Sequence, residues 1–113
     1  MEVGDYVRTK HLGGSIEKII EIIPKEKTED LVKRCITDIS KVYMQSITEE
    51  QIIKSSSNII DLIEVGDYVN GYYVINKPFN QRIHTEFDDF FEEDIKSIVT
   101  KEQFESMEYK VGE

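Results

Sequence analysis

The sequence predicts a mainly β protein with one or two short helices, α+β by residue count. Hydrophobic residues make up 39% of the 113-residue chain, and Ile, Val, Tyr and Phe, which favour strands, are common among them. Two glycine-containing pairs, Gly13–Gly14 and Asn70–Gly71, lie between apolar segments and predict hairpin turns. The hexapeptide EVGDYV occurs at both Glu2–Val7 and Glu64–Val69 and suits a sharp turn into a strand.

The N-terminal segment predicts a hairpin followed by a third strand. The hairpin has strands at Asp5–Thr9 and Ser15–Ile23, joined by Gly13–Gly14, which supplies the positive φ angles of a tight turn. The isoleucines of the second strand also have a spacing that suits a short helix. Residues 24–30 begin with Pro24 and continue with the mostly charged KEKTED, so we expect an exposed loop. Leu31–Thr37 alternates as a further strand.

The middle of the chain contains a capping-box signal and the clearest hairpin signal. Thr48–Gln51 has Thr at the N-cap position and Gln three residues later, which predicts a short helical turn. Asn70–Gly71 lies between Tyr-Val and Tyr-Tyr-Val and fits a type I′ turn. We expect Pro78 to end the second strand of this hairpin and residues 76–84 to form a loop.

The C-terminal segment combines aromatic residues with many acids. Phe87, Phe90, Phe91, Ile95 and Ile98 have helical spacing. Like charges at i,i+4 weaken such a helix, so an extended segment with anchored phenylalanines is nearly as well supported. Ile95–Thr100 suits a strand. A second capping box at Thr100–Gln103 predicts a helix at Lys101–Met107, and Tyr109–Val111 suits a final short strand.

The repeated hexapeptide has a mechanical interpretation. Gly allows the backbone to turn, Asp bonds to nearby backbone N–H groups, and Tyr and Val then alternate along a strand. This Gly-Asp-x-Val entry resembles the first strand of SH3-like and KOW-like small barrels, and the resemblance implies an SH3-like fold. Outside the hexapeptide the halves do not align, so we predict a single domain at 1–113. The alternative is two half-size barrels at 1–57 and 58–113.

Two longer segments resemble proteins of a particular origin. IIKSSSNIIDLIEVGDYVNGYYV and IKSIVTKEQFESMEYKV are similar to parts of small uncharacterised proteins carried by phages and prophages of Gram-positive bacteria. Together they cover about a third of the chain. The resemblance implies a cytoplasmic, phage-encoded accessory protein and supplies no catalytic residues.

Charge and composition exclude several classes of function. The net charge of -9 argues against direct binding to nucleic acid or to anionic membranes. Residues 1–57 carry a net charge of -1 and residues 58–113 a net charge of -8. The first residues, MEVGDYV, have neither the basic nor the apolar region of a signal peptide, and Cys35 is the single cysteine, so we expect a reducing compartment.

The sequence contains no catalytic or metal-binding signature that we recognise, so we predict a protein that is not an enzyme and needs no cofactor. Zinc requires several Cys and His at short spacing, and Cys35 with His11 and His84 does not supply them. Cys35 lies in an apolar strand pattern and is predicted to be a buried structural thiol. The glycine-rich His11–Ser15 lacks the Walker spacing and is predicted to be a hairpin turn.

The acids between positions 86 and 94 are the leading candidates for partner binding. A charge run is most often a solvated face, but closely spaced carboxylates also imitate the phosphates of nucleic acid and can occupy a basic groove on a protein. The predicted partner is a host protein with a basic surface, such as a component of a defence system. The candidate residues are Glu86, Asp88, Asp89, Glu92, Glu93 and Asp94.

Two alternatives remain. The first is a sponge for an anionic small molecule, such as a nucleotide signal, bound by Tyr72, Tyr73, Lys77 and Arg82. Strand alternation sends Tyr72 and Tyr73 to opposite faces, so one is expected in the core and one at the surface. The second is a phage structural or assembly factor, which would form a homo-oligomer.

Overall fold

The chain folds into two five-stranded antiparallel sheets, one from each half of the sequence. This computed structural model describes residues 1–10, 13–79 and 82–107. The prediction of a mainly β protein with a short helix is confirmed. Within the described ranges no helix has the length and apolar character needed to cross a membrane.

The strands and turns follow one another along the chain. The first sheet contains β1 (Tyr6–Thr9), β2 (Ile16–Ile23), β3 (Arg34–Thr37), β4 (Ile47–Thr48) and β5 (Ile52–Ser56). The second contains β6 (Tyr68–Val69), β7 (Tyr72–Phe79), β8 (Arg82–Thr85), β9 (Asp89–Phe91) and β10 (Ile98–Val99). Helix α1 is Lys101–Met107, and 3₁₀ turns occupy Lys25–Lys27, Glu49–Gln51, Ile59–Leu62 and Glu92–Asp94.

The two sheets have the same strand order. The first runs β4-β3-β2-β1-β5 and the second β9-β8-β7-β6-β10. In each, the strand that carries the Tyr-Val of the hexapeptide lies between the following strand and the last strand of its sheet. In each, a 3₁₀ turn lies between the fourth and fifth strands, Glu49–Gln51 in the first and Glu92–Asp94 in the second. The hexapeptide therefore occupies equivalent places in two similar arrangements.

The hexapeptide adopts the same turn in both copies. Its glycine has a φ of +95° in the first copy and +100° in the second. The Asp5 carboxylate accepts the backbone N–H of Glu2 at 2.9 Å, and the Asp67 carboxylate accepts that of Glu64 at 2.8 Å. This local geometry confirms the interpretation of the hexapeptide as a glycine turn held by an aspartate.

The Asn70–Gly71 turn and both capping boxes are confirmed, and the described part of the β1–β2 turn has positive φ at Gly13 and Gly14. Asn70 and Gly71 both have positive φ, +53° and +87°, as a type I′ turn requires. The backbone N–H of Thr48 donates to the side chain of Gln51 at 3.0 Å at the start of a 3₁₀ turn. At the start of α1, the Thr100 N–H donates to Gln103 at 3.2 Å, and the Gln103 N–H donates to the Thr100 hydroxyl at 3.2 Å.

One prediction from the C-terminal half is wrong. The loop predicted at 76–84 is replaced by the end of β7, which passes through Pro78, and by β8. The pairing of β7 with β8 shifts register between Asn76 and Phe79, and a strand irregularity of this kind is a place where proline is tolerated. The strand predicted at Ile95–Thr100 is present and is shorter than predicted, as β10.

Two segments were predicted to be either a helix or an extended strand, and the structure distinguishes between these alternatives. The acidic segment is extended rather than α-helical, with β9 followed by a 3₁₀ turn, as the like charges at i,i+4 favoured. The isoleucine-rich segment forms β2, not a helix. Tyr109–Val111, His11 and Leu12 lie outside the described residues.

The interior consists of two separate apolar clusters, one beneath each sheet. The first is made of Val7, Ile19, Cys35 and Ile47. The second is made of Ile60, Ile63, Val69, Val74 and Ile83, against which Ile16 of the first half also packs. The thiol of Cys35 is fully buried, as predicted, and burial raises its pKa.

The C-terminal helix joins the two halves. Helix α1 lies against the β1–β2 turn so closely that a Cβ added to Gly14 would be 2.9 Å from the Cβ of Glu102. The hydroxyl of Thr100, just before α1, donates to the carbonyl of Gly14 at 2.5 Å. Gly14 also has a φ of +104°, so a larger residue at this position would strain the backbone and would also collide with Glu102.

Candidate functional site

The predicted partner-binding acids lie along one margin of the second sheet. Residues 86–94, here called the acidic edge, comprise the β8–β9 turn at 86–88, strand β9 and the 3₁₀ turn Glu92–Asp94. Among the described strands, β9 is at the outside of its sheet and pairs with β8 alone. All six acids are brought together here, and all but the partly buried Asp89 are exposed.

Several of these carboxylates also hold the local backbone. Glu86 accepts the N–H of Tyr73 at 3.3 Å, and Asp88 accepts the N–H of Asp89 at 2.8 Å. Asp94 accepts the N–H of Phe91 at 3.4 Å. Such bonds position the carboxylates in fixed directions and leave their remaining lone pairs facing solvent.

Glu92 and Glu93 differ from the other acids of the edge. Both side chains are exposed, and within the described part of the chain neither carboxylate accepts a hydrogen bond or forms an ion pair. They are therefore the acids of the edge that can change charge with the least effect on the fold.

One acid of the edge is partly neutralised by basic neighbours. Asp89 accepts a hydrogen bond from Nδ1 of His84, and its other oxygen lies 3.5 Å from Nη1 of Arg82. The bond with His84, followed by the charges of His84 and Arg82, lowers the pKa of Asp89 below its ordinary value. Asp89 therefore stays ionised and also ties β9 to β8.

Aromatic side chains are interleaved with the acids. Phe90 packs against the second apolar cluster and anchors the edge. Phe87 stacks on Tyr72 with 4.7 Å between ring centroids, yet 71% of its side-chain surface is exposed. Phe91 is also exposed and bounds a small cleft of about 230 Å³ with Glu92 and Glu93. The edge thus presents apolar rings among carboxylates.

The two tyrosines of the alternative small-molecule site have separate surroundings. Tyr72 stacks with Phe87 and Phe90, whereas Tyr73 makes an edge-to-face contact with Tyr68 on the other side of the sheet. The predicted separation onto opposite faces is confirmed, but Tyr72 is half-buried rather than part of the core.

Lys77 and Arg82 already have partners within the protein. Nζ of Lys77 donates to the carbonyls of Ile60 at 3.1 Å and Ile63 at 2.9 Å, where it caps the 3₁₀ turn Ile59–Leu62. Burial lowers the pKa of Lys77. Arg82 lies beside Asp89. Both cations are therefore engaged within the protein, and an anion would have to compete with these contacts.

A buried ion pair that joins the two halves has no local signal in the sequence. The guanidinium of Arg8, in β1, donates to both oxygens of Asp67 at 2.6 and 2.9 Å, and both side chains are buried. Arg8 also donates to Glu102 at 2.8 Å and to the carbonyl of Leu62 at 2.9 Å. Burial acts to lower the pKa of Arg8, but its bonds and the surrounding acids raise it above the ordinary value.

A second buried acid lies within the first sheet. The carboxylate of Glu17 is enclosed and accepts hydrogen bonds from the hydroxyls of Thr9, Ser15 and Thr37. A carboxylate bonded to several hydroxyls is a satisfied buried polar group. Among the described residues, no three His, Cys, Asp or Glu side chains are grouped as a metal site requires.

Comparisons with known proteins identify no relative of this chain. Neither a protein-family model, a curated protein nor a solved structure matches it.

Proposed function

We propose that this chain is a non-enzymatic binding protein whose acidic edge occupies a basic surface on a protein partner. The observation that carries the proposal is the arrangement of six carboxylates along one outer margin, of which Glu92 and Glu93 have no internal partner among the described residues. Carboxylates with fixed spacing on a rigid outer strand present a negative potential that a Lys- and Arg-rich groove complements.

The interleaved aromatic rings support a protein partner rather than a simple counterion. Phe87 and Phe91 expose apolar area next to the acids, and aromatic anchors surrounded by polar groups are typical of the energetically dominant part of a protein interface. Electrostatic attraction then steers association, and burial of the rings slows dissociation. Affinity is expected to fall with added salt because the charges are exposed.

The identity of the partner rests on the resemblance to phage and prophage proteins. That resemblance favours a factor of a Gram-positive host, in the bacterial cytoplasm. A defence protein with a groove that binds nucleic acid has the surface chemistry that the acidic edge complements. The edge would then act as a decoy for the phosphate backbone.

We infer that each sheet is an SH3-like unit, in keeping with the Gly-Asp-x-Val entry. The shared strand order, the 3₁₀ turn between the fourth and fifth strands and the separate apolar clusters support this. They favour the division into units at 1–57 and 58–113 over one unit at 1–113. The second unit then carries the charge and the acidic edge, and the first is a companion joined to it through Arg8 and α1.

The small-molecule alternative has less support. Its two cations, Lys77 and Arg82, are engaged by backbone carbonyls and by Asp89, and the two tyrosines lie on opposite sides of the sheet. A nucleotide would have to displace these contacts before binding.

The proposal is tested by capture of partners from a Gram-positive host lysate. The variant Glu92→Lys/Glu93→Lys reverses two charges without removing a hydrogen bond within the described residues. Glu21→Lys/Glu29→Lys makes the same change in net charge at exposed sites of the first half and serves as the control. We expect wild-type and control protein to retain a basic protein that is released at high salt, and the edge variant to lose it.

Two results would argue against the acidic edge. Equal capture by all three proteins would place binding elsewhere on the molecule. Equal loss in the edge and control variants would mean that net charge, not the geometry of residues 86–94, governs capture. Circular dichroism spectra of the three proteins, expected to be the same, exclude unfolding as the cause.

A further inference from the structure

The loop between β3 and β4 holds three apolar side chains in solvent on a hydrogen-bonded turn. Val42, Tyr43 and Met44, here called the knob, are 76%, 55% and 94% exposed. The backbone N–H groups of these three residues donate to the carbonyls three residues earlier at 3.0 to 3.1 Å. The side chain of Ser40, just before the knob, and that of Thr37 bond reciprocally to each other's backbone N–H. The knob is therefore preorganised rather than collapsed on its own sheet.

The opposite end of the same two strands carries an apolar cleft. The cleft has a volume of about 780 Å³ and lies between the β2–β3 connection and the 3₁₀ turn Glu49–Gln51. Its lining includes four apolar residues, Ile22, Pro24, Leu31 and Val32. A volume of this size is within the range of sites that accept several side chains.

The rim of the cleft is acidic. Four acids and two lysines line it, which gives a net charge of -2. Asp30 and Glu49 pair with Arg34 and Lys33, respectively. Glu50 is exposed and has no ion pair among the described residues. A basic side chain entering beside an apolar one would therefore find a complementary charge.

Backbone strain marks both features. Among the described residues, the non-glycine positions with positive φ are Leu31 at +56°, Met44 at +55° and Asn70 at +53°. Asn tolerates this conformation, whereas a bulky apolar residue does so at a cost. Leu31 lies in the cleft and Met44 in the knob, and both are largely exposed. Gly or Asn at each position would adopt the positive φ with less strain. Contact with another surface therefore explains better why exposed apolar residues occupy these two positions.

The two features lie at opposite ends of β3 and β4. The cleft lies where β3 begins and β4 ends, and the knob lies where β3 ends and β4 begins. Complementary features at opposite ends of one element allow a head-to-tail contact, in which each copy uses its knob on one neighbour and its cleft on another.

We propose that the knob of one copy inserts into the cleft of a second copy of this chain. Met44 and Tyr43 then cover the apolar lining around Leu31 and Val32, and the exposed Lys41 beside the knob approaches Glu50. The contact is independent of the acidic edge. A surface this small gives a weak and reversible association, with a dissociation constant between about 1 µM and about 1 mM.

The test uses one variant of each feature and measures mass in solution by sedimentation across a range of protein concentrations. Leu31→Asn removes the cleft contact and Met44→Asn removes the knob contact, and Asn suits the positive φ at both positions. Val3→Asn removes a comparably exposed apolar side chain elsewhere and is the control. We expect the mass of wild-type and control protein to rise above 13.2 kDa with concentration, and each variant to associate at least about tenfold more weakly.

A mixture of the two variants makes the test specific. Leu31→Asn protein retains its knob and Met44→Asn protein retains its cleft, so the mixture is expected to form a heterodimer and to extend no further. The proposal is overturned if wild-type protein stays at 13.2 kDa up to about 1 mM, if the mixture forms no heterodimer, or if the control loses association too.

Discussion

Asp5 and Asp67 perform the same local task in different surroundings. Each accepts the N–H three residues before it, but Asp67 is buried and also holds the guanidinium of Arg8. We expect Asp67→Ala to lower the free energy of unfolding by about 3 kcal/mol, because it leaves Arg8 buried without its main partner. Asp5→Ala is expected to cost about 1 kcal/mol, the net value of one hydrogen bond. Urea unfolding of the two variants measures both, and equal costs would contradict the assigned role of the buried pair.

Asp89 gives the acidic edge a dependence on pH. Because His84 and Arg82 lower its pKa, the ionised carboxylate favours the folded state at pH values above its ordinary pKa of 3.8. That contribution is lost as the pH falls through the lowered pKa. We therefore expect wild-type protein to be more stable than Asp89→Asn at pH 5, and the difference to shrink toward pH 2. A difference that stays constant over this range would show that the contacts of Asp89 are not electrostatic.

Residue roles could be predicted from the sequence where the partners are close along the chain. The Asp5–Glu2 turn and the capping bond between Thr100 and Gln103 each depend on a three-residue spacing that is visible in the sequence. The pair of Arg8 and Asp67 spans 59 positions, and no local spacing distinguishes this aspartate from Asp5. Long-range ion pairs of this kind follow from how the two sheets are placed.

At the scale of elements, the contact between α1 and the β1–β2 turn depends on Gly14. A Cβ at Gly14 would meet Glu102 at 2.9 Å, whereas a Cβ at Gly4 would meet nothing within 4 Å, and both glycines have positive φ. We expect Gly4→Ala to cost about 1 kcal/mol of unfolding free energy for backbone strain alone. Gly14→Ala is expected to cost about 1 to 3 kcal/mol more, since α1 must shift. If both cost the same in urea unfolding, the close packing of α1 would be refuted.

Predictions of strands and turns succeeded where a residue pair is compatible with one turn type. They failed where a residue is compatible with both a strand and a loop. Asn70–Gly71 fits a type I′ turn, and the structure has it. A proline ordinarily ends a strand. At Pro78, β7 continues because the register of its pairing with β8 shifts there, and β8 replaces the predicted loop. For the acidic segment, the sequence left two conformations open, a helix and an extended strand. The segment is extended, because repulsion between like charges at i,i+4 disfavours the helix.

At the scale of the whole molecule, similar sheets arise from halves with little sequence similarity. Only the hexapeptide is shared, yet both sheets have the same strand order. Strand order depends on the pattern of apolar residues and turns, which different sequences satisfy equally. The net charge does not follow this symmetry, since the second half carries -8 of the total of -9. The sequence alone therefore shows that most of the net negative charge lies in the second half. It does not show that the acids lie along the outer margin of the second sheet.

The knob–cleft contact and the acidic edge can act together. A head-to-tail contact through the first sheet would place several acidic edges in one assembly. Several weak contacts made together raise the apparent affinity for a partner with more than one basic site. We expect Met44→Asn, which keeps the edge intact, to bind a single basic site as well as wild-type protein does and to bind a surface with several such sites more weakly. Titrations against single-site and multi-site forms of a captured partner measure the difference.

Amide hydrogen exchange of the protein with and without its captured partner measures directly whether the acidic edge is the binding surface. We expect slower exchange in residues 86–94 on binding, with β1–β5 unchanged, and loss of this protection when salt releases the partner. Protection confined to the first sheet or to the tyrosines of β7, with residues 86–94 unaffected, would contradict the assignment of the acidic edge as the binding surface.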